Sequence, residues 1–233
     1  MSEKSLHNNY KHMNKAVQII LGIFIVLLIL MLASSSEMLS ISELGVLPPG
    51  LASQATILVF SSIAIFIFNK KGIIKFNIGK TGIKQIITPI LLIVFLLIIS
   101  EFIFQKILGN TNEEHFASSM SGIQILLIVV FLASISEELL FRGFLQNMLD
   151  PLKPIAIHFL KIKLSLPVII SGLLFGLMHF GIISTGASFG FALKLVLVAM
   201  IMGMIAGYFQ EKHNNFLFAV IVHMSANITG LLL

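Results

Sequence analysis

Three ionisable residues, Glu137, Glu138 and Arg142, lie close together inside an otherwise apolar stretch of the sequence. The stretch covers residues 123–150 and is long enough to cross a bilayer as a helix. A charged side chain at the centre of a spanning helix costs about 2.5–3.5 kcal/mol on insertion. Such residues are rare in membrane segments and usually mark functional sites, so these three are candidate site residues.

The helical spacing predicts different roles for the two glutamates. Glu138 and Arg142 are four residues apart with the acid first, which is the favourable order for an ion pair. Glu137 is rotated about 100° from Glu138 around the helix axis and is predicted to face another surface. A poorly solvated carboxylate suits general acid or base chemistry near neutral pH, so Glu137 is the candidate proton acceptor. The alternative is that all three residues form a packing network.

Two of the seven histidines, His179 and His223, lie well inside apolar segments. A single membrane histidine is commonly an interhelical hydrogen-bonding residue. However, a rise of 1.5 Å per residue puts Glu137, His179 and Asn227 at similar depths, roughly 17–18 Å from one end of their segments. His223 lies on the same helix face as Asn227 and about one turn shallower. These depths predict one shared polar site.

Together these residues resemble the motifs of the CPBP family, which contains the type II CAAX prenyl endopeptidases and the bacterial Abi proteins. The motifs are EExxxR, FxxxH and HxxxN, carried here by Glu137, Glu138, Arg142, Phe175, His179, His223 and Asn227. The resemblance covers residues 130–230 and implies an intramembrane protease with about eight helices. It also implies that Glu137 activates a water with the help of His179. His223 and Asn227 would then stabilise the oxyanion.

Many members of that family are described as metalloproteases, so two mechanisms stay open. Glu137, His179 and His223 could supply the three ligands of a catalytic zinc. Zinc-bound histidines are usually oriented by nearby carboxylates. Glu138, the other carboxylate nearby, is already predicted to pair with Arg142. We therefore predict a mechanism without a cofactor and keep zinc as the alternative.

Other protein classes fit the sequence less well. A non-catalytic membrane binding or immunity protein would tolerate Glu137→Gln, whereas a proton-coupled transporter often shows inverted repeats, and the sequence shows none. The segment Gly186-ASFG resembles a serine nucleophile motif around Ser188, but that motif needs a strand–turn–helix setting. Asp150 is the single aspartate, which excludes an aspartyl dyad, and no H-E-x-x-H zinc motif occurs.

The composition predicts an all-α polytopic membrane helix bundle. Hydrophobic residues make up 57% of the chain and charged residues 11%, against roughly a quarter charged in soluble domains. Seven apolar segments have about the length of a spanning helix, so we expect 7–8 helices. They cover residues 16–33, 51–68, 86–104, 123–149, 167–186, 189–209 and 216–233. We assign residues 1–122 to the N-terminal tail and first three helices, and residues 123–233 to the catalytic core.

Small residues are spaced four apart in two of these segments. The pairs are Gly172 with Gly176 and Gly203 with Gly207. This spacing is typical of helices whose backbones pack closely in a membrane. We expect a structural role for both pairs.

Lysines predict the orientation in the membrane. Twelve of the fourteen lysines fall on one side of the predicted topology, so the positive-inside rule predicts a cytoplasmic N-terminus and an external C-terminus. The basic, apolar stretch 151–165 is predicted to be an interfacial helix. The expected partners are the bilayer and a peptide or membrane-protein substrate, with no nucleic acid. An Ile-, Lys- and Asn-rich composition is typical of an AT-rich bacterium, which favours a bacterial cell membrane.

Overall fold

Seven apolar helices form a bundle in the computed structural model, which describes residues 13–39, 47–108, 120–159 and 162–233. The helices are α1 (Lys15–Leu39), α2 (Leu51–Lys70), α3 (Ile83–Leu108), α4 (Gly122–Met148), α5 (Leu166–Met178), α6 (Phe189–His213) and α7 (Leu217–Gly230). Six of these segments are long and apolar enough to cross a membrane, α5 together with the turn that follows it, and α7 is shorter. The predicted all-α membrane bundle is confirmed. Lys4, Lys11 and Lys161, used for the orientation, lie outside the described residues.

The start of α2 is held firmly against the end of α1. Gly50 precedes the helix with φ of +81°, a conformation that glycine adopts without steric cost. The Glu37 carboxylate accepts hydrogen bonds from the backbone N–H groups of Gly50 at 2.8 Å and Ser53 at 3.1 Å. An acidic group at a helix N-terminus satisfies free N–H groups and suits the helix dipole. The first turn of α2 is therefore anchored to the end of α1.

Helix α4 changes its winding on both sides of the two glutamates. It is π-helical over Ile125–Ala133 and Leu139–Leu145, and α-helical over Ser134–Glu138 between them. Inserted π turns are frequent at functional sites. Since a π turn holds more residues than an α turn, depths calculated from 1.5 Å per residue do not apply along α4.

Glycines bring α5 and α6 into backbone contact. A Cβ added to Gly172 would lie 2.9 Å from the Met204 nitrogen, and one added to Gly176 would lie 2.7 Å from the Val196 oxygen. Real Cβ atoms do not approach this closely. The close packing predicted from the small-residue spacing is therefore confirmed for Gly172 and Gly176.

The predicted interfacial helix at 151–165 is wrong. A 3₁₀ turn at Asp150–Leu152 leads into strand β1 (Ala156–Phe159), which pairs in antiparallel fashion with β2 (Ile162–Ser165). Pro154 disfavours a continuous helix, and the polar–apolar alternation of this stretch has the period of a strand. A two-stranded hairpin therefore connects α4 to α5.

Candidate active site

The polar side chains of the candidate site come from four of the described helices. Helix α4 carries two carboxylates and a guanidinium, α5 ends at an imidazole, α7 carries a second imidazole and an amide, and α2 adds an amide. These groups belong to Glu137, Glu138, Arg142, His179, His223, Asn227 and Gln54. Six of the seven were predicted from the sequence, and Gln54 was not.

Glu138 and Arg142 form an enclosed ion pair within α4. The Arg142 Nη1 donates to Glu138 Oε1 at 3.0 Å, and both side chains are 0% exposed. The guanidinium carbon lies 4.5 Å from the ring centroid of Phe175, a distance suited to a cation–π contact. Because both charges are fully buried, removing either one would leave the other without compensation.

The His223 ring lies between the two glutamates. Its Nδ1 is 2.9 Å from Glu138 Oε1, and its Nε2 is 4.0 Å from Glu137 Oε2. A carboxylate that already accepts from Arg142 accepts again from His223, so Nδ1 carries the hydrogen. The expectation that the two glutamates face separate surfaces is wrong. One planar ring with two nitrogen edges contacts both of them from α7.

The two oxygens of Glu137 have different surroundings. Its Oε1 accepts a hydrogen bond from Gln54 Nε2 at 2.7 Å, whereas Oε2 faces His223. The side chain is 9% exposed, compared with 0% for Glu138. One oxygen is therefore held, and the other is directed at the space beside the imidazole.

Gln54 is the site residue that the sequence did not reveal. Its Oε1 accepts from the Ser136 hydroxyl, and its Nε2 donates to Glu137. Glutamine is uncharged and lies 83 residues before Glu137, so neither charge nor local spacing marked it. An amide within the apolar segment 51–68 was the available signal.

His179 occupies the junction where α5 changes into a 3₁₀ turn, His179–Thr185. Its Nδ1 is 2.9 Å from the Phe175 carbonyl oxygen. Because a carbonyl accepts only, Nδ1 carries the hydrogen. The ring packs 5.0 Å from the Phe175 ring, which also packs 5.5 Å from His223. Within the described part of the chain, His179 makes no direct hydrogen bond or ion pair with Glu137.

Asn227 contacts α4 rather than either histidine. Its Nδ2 donates to the Val129 carbonyl at 2.8 Å and lies 3.1 Å from the Ser134 hydroxyl oxygen. An amide nitrogen has two hydrogens, and both have an acceptor here. Asn227 therefore braces α7 against the first π-helical stretch of α4. An oxyanion role would require it to release one of these acceptors.

The alternative zinc set does not assemble in this arrangement. Among the described residues, no three histidine, aspartate or glutamate side chains come close enough together to hold a metal ion. His223 Nδ1 contacts Glu138, and His179 Nδ1 contacts the Phe175 carbonyl. Contacts of this kind at Nδ1 are also typical of histidines that bind zinc through Nε2, so the mechanism without a metal stays a prediction, and no step is derived through zinc.

The fold is that of a polytopic membrane helix bundle with two buried carboxylates beside a histidine. The family model for Rce1-like type II CAAX prenyl endopeptidases matches residues 118–229, just under half of the chain. This match confirms the resemblance, and residues 118–229 are similar to that family. No curated protein and no solved structure matches the chain. Gln54 lies outside the matched residues.

Proposed function

We propose that this protein is a glutamate-dependent endopeptidase that hydrolyses a membrane-associated peptide or protein, with Glu137 as the general base. The observation that carries the proposal is the gap of 4.0 Å between Glu137 Oε2 and His223 Nε2. Gln54 holds the other oxygen of Glu137 at 2.7 Å. A carboxylate with one oxygen held and one free suits directed proton transfer.

We propose that a water molecule bridges Glu137 Oε2 and His223 Nε2. A water that makes hydrogen bonds of about 2.8 Å to both atoms would subtend an angle of roughly 90° at its oxygen. Glu137 Oε2 takes a proton as the water oxygen attacks the scissile carbonyl carbon. The tetrahedral intermediate then breaks its C–N bond, and the same carboxyl returns the proton to the leaving amine.

His223 is the proposed donor to the oxyanion. Its Nδ1 donates to Glu138, so a proton on Nε2 makes the ring an imidazolium. The two carboxylates would then be balanced by Arg142 and His223, and buried charges need such compensation. As the carbonyl oxygen gains charge, the Nε2–H donates to it.

His179 and Asn227 complete the proposal from the family resemblance. His179 holds its Nδ1 on the Phe175 carbonyl, which leaves Nε2 free to assist Glu137 through water. Asn227 would add a second donor to the oxyanion once its NH₂ group releases the Val129 or Ser134 oxygen and donates to the substrate instead. Both roles are open to separate tests by substitution.

Cleavage can be tested with purified protein in lipid nanodiscs. The probes are a fluorescence-quenched farnesylated peptide ending in a CAAX motif and its unprenylated twin, together with bacterial membrane proteins whose new termini are mapped by mass spectrometry. We expect the wild type, and not Glu137→Gln, to cleave at least one probe. Equal signals from both folded proteins would reject the proposal.

We also propose that the N-terminus is cytoplasmic, as the lysine distribution predicts. The chain has no cysteine, so single cysteines can be introduced without background. A cysteine at Asn77, which is exposed, should resist an impermeant maleimide in intact cells. A cysteine at Ser118, which lies outside the described residues, should react. The reverse labelling pattern would invert the topology.

A further inference from the structure

The hairpin β1–β2 is held at the level where the membrane helices end. It follows α4 after the 3₁₀ turn at Asp150–Leu152 and leads directly into α5. The Leu166 N–H donates to the Ile155 carbonyl at 2.8 Å and closes the base of the hairpin. The Ser165 hydroxyl donates to Glu211 at 2.7 Å and ties the end of β2 to α6. These bonds hold the hairpin against the start of α5 and the end of α6.

The hairpin has an apolar face and a cationic face. Ile157 pairs with Leu164, and His158 pairs with Lys163. Because successive side chains of a strand alternate between faces, the first pair lies on one face and the second pair on the other. Ile157 is 61% exposed, so the described part of the chain leaves most of this side chain uncovered.

Two further isoleucines extend the apolar surface. Ile155, just before β1, is 57% exposed, and Ile162, at the start of β2, is 42% exposed. Three exposed isoleucines on a short connection are unfavourable in water, because burying apolar side chains is favourable. The adjacent bilayer offers acyl chains at this position. The exposed lysines Lys153 and Lys163 offer charges of the opposite sign to anionic lipid headgroups.

We propose that the hairpin lies in the membrane interface, with the isoleucine face among the acyl chains and the lysine face towards anionic headgroups. The partner is therefore a lipid surface that carries negative charge. This inference is independent of the proposed protease activity. It also accounts for a basic and apolar connection that is not helical.

Tryptophan fluorescence can test the two faces, because the chain has no tryptophan. Ile157→Trp reports on the apolar face, and His158→Trp is the matched control on the opposite face. Each full-length variant is reconstituted in phosphatidylcholine vesicles, with and without phosphatidylglycerol. We expect brominated acyl chains to quench Ile157→Trp and aqueous iodide to quench His158→Trp. Equal quenching of both variants by iodide would overturn the insertion.

Two further arms test the nature of the partner. We expect phosphatidylglycerol to shift the emission of Ile157→Trp further to the blue than pure phosphatidylcholine does. Replacing Lys153 and Lys163 together by glutamine should remove this extra shift. The spectrum in pure phosphatidylcholine should stay the same. If phosphatidylglycerol gives the same shift without the lysines, the anionic-lipid part is wrong. If Ile157→Trp is shielded from iodide in native membranes but not in vesicles that contain no other protein, another protein covers the face and the lipid proposal fails.

We also infer that Gln54 is a positioning residue for Glu137, an inference that rests on the proposed function. Because the ionised Glu137 carboxylate only accepts, the oxygen of the Gln54 amide is the atom that faces the Ser136 hydroxyl. The NH₂ group then faces Glu137 Oε1. The Glu37 carboxylate anchors the turn of α2 from which Gln54 projects. A firmly held donor thus fixes one carboxylate oxygen and leaves Oε2 for the water.

Gln54→Leu removes both hydrogen bonds at similar side-chain volume. A reacting group displaced by about 1 Å can cost 10²-fold in rate, so we expect kcat to fall about 10- to 100-fold with KM unchanged. In a Glu137→Gln background, Gln54→Leu should cause no further loss. Thr56→Val is the control on the same helix, because the Thr56 hydroxyl contacts Ser36 and Ala52 instead of Glu137.

The outcomes separate this inference from the proposed function. If Gln54→Leu keeps the wild-type kcat while Glu137→Gln is inactive, Gln54 does not position the base and the protease proposal stands. If Glu137→Gln remains active, the proposed function itself fails. A Gln54→Leu variant that lowers folded yield but leaves kcat per folded molecule unchanged would show a structural role only.

Discussion

The two sides of the His223 ring show how adjacent glutamates come to differ. On the Nδ1 side, Glu138 is 0% exposed and contacts both His223 at 2.9 Å and Arg142 at 3.0 Å. On the Nε2 side, Glu137 is 9% exposed and lies 4.0 Å from the ring. The Nδ1 side, here called the closed side, holds charges that compensate each other. The Nε2 side, here called the open side, leaves a carboxylate oxygen directed at a gap.

Glu137 and Glu138 are the same residue type, so their burial and their hydrogen-bond partners must account for any difference in role. A buried ion pair is costly to break, and its net contribution to stability is often small. A proton acceptor needs an oxygen that is not already used by a strong donor. On this basis Glu138 stabilises the arrangement of α4 and α7, whereas Glu137 is the proposed general base.

Glu137→Gln is expected to have the largest effect on the open side. An amide cannot take the proton of the water, so the cleavage rate should fall about 10²- to 10⁴-fold. The melting temperature should stay close to the wild-type value. Rates are measured with a cleaved probe in nanodiscs, and Asp150→Asn on the exposed surface is the control. If Glu137→Gln kept its activity, Glu137 would not be the general base, and the open and closed sides would not differ in chemical role.

Glu138→Gln tests the closed side. It leaves the buried Arg142 without its counter-ion, which should cost about 3–5 kcal/mol of stability. We expect low folded yield and a lower unfolding midpoint in detergent, followed by circular dichroism. A variant that folds as well as the wild type yet loses activity would exchange the roles of Glu137 and Glu138.

Asn227→Ala tests whether the region next to Glu137 supplies an oxyanion donor. Loss of such a donor typically costs about 10²–10³ in rate. The bonds to Val129 and Ser134 contribute about 1 kcal/mol each, so folding should survive. Ser134→Ala is the control, because it removes one acceptor and keeps Asn227. Equal, small rate losses in both variants would show that Asn227 only braces the helices.

Gly203→Ala adds a methyl group on the closed side. The new Cβ would overlap Arg142 Nη2 and lie 3.1 Å from the Gly172 Cα. Overpacking of this kind costs about 1–3 kcal/mol, and here it should displace the ion pair. Thermal unfolding measures the loss, with Gly181→Ala as the control because its Cβ would meet no atom within 4 Å. Identical midpoints would show that the guanidinium has room to move.

Removal of metal ions is expected to have the smallest effect. The purified protein should carry no stoichiometric zinc and should keep its activity after extensive chelation. Elemental analysis and rates before and after chelation provide the measurement. About one zinc per chain, lost together with activity and restored by adding it back, would make His179 and His223 ligands and require a different geometry on the open side.

The sequence by itself determined the features that depend on composition and local spacing. Apolar segments of spanning length predicted the helix bundle, and four-residue spacing predicted the contact of Glu138 with Arg142 and the glycine packing of α5 on α6. These features depend on helix geometry within one segment and on the energetics of apolar surface. They can be recognised without knowing how the helices are arranged.

Only the tertiary structure decided which atoms meet between helices. The position of His223 between Glu137 and Glu138 depends on how α7 packs on α4, and the contact with Gln54 depends on where α2 begins beside α4. The two π-helical stretches of α4 also change the rise per residue, so the depths calculated for a regular α-helix do not apply there. Contacts between distant segments depend on how the helices pack and on their relative positions along the bundle. Residue spacing within one segment does not predict them.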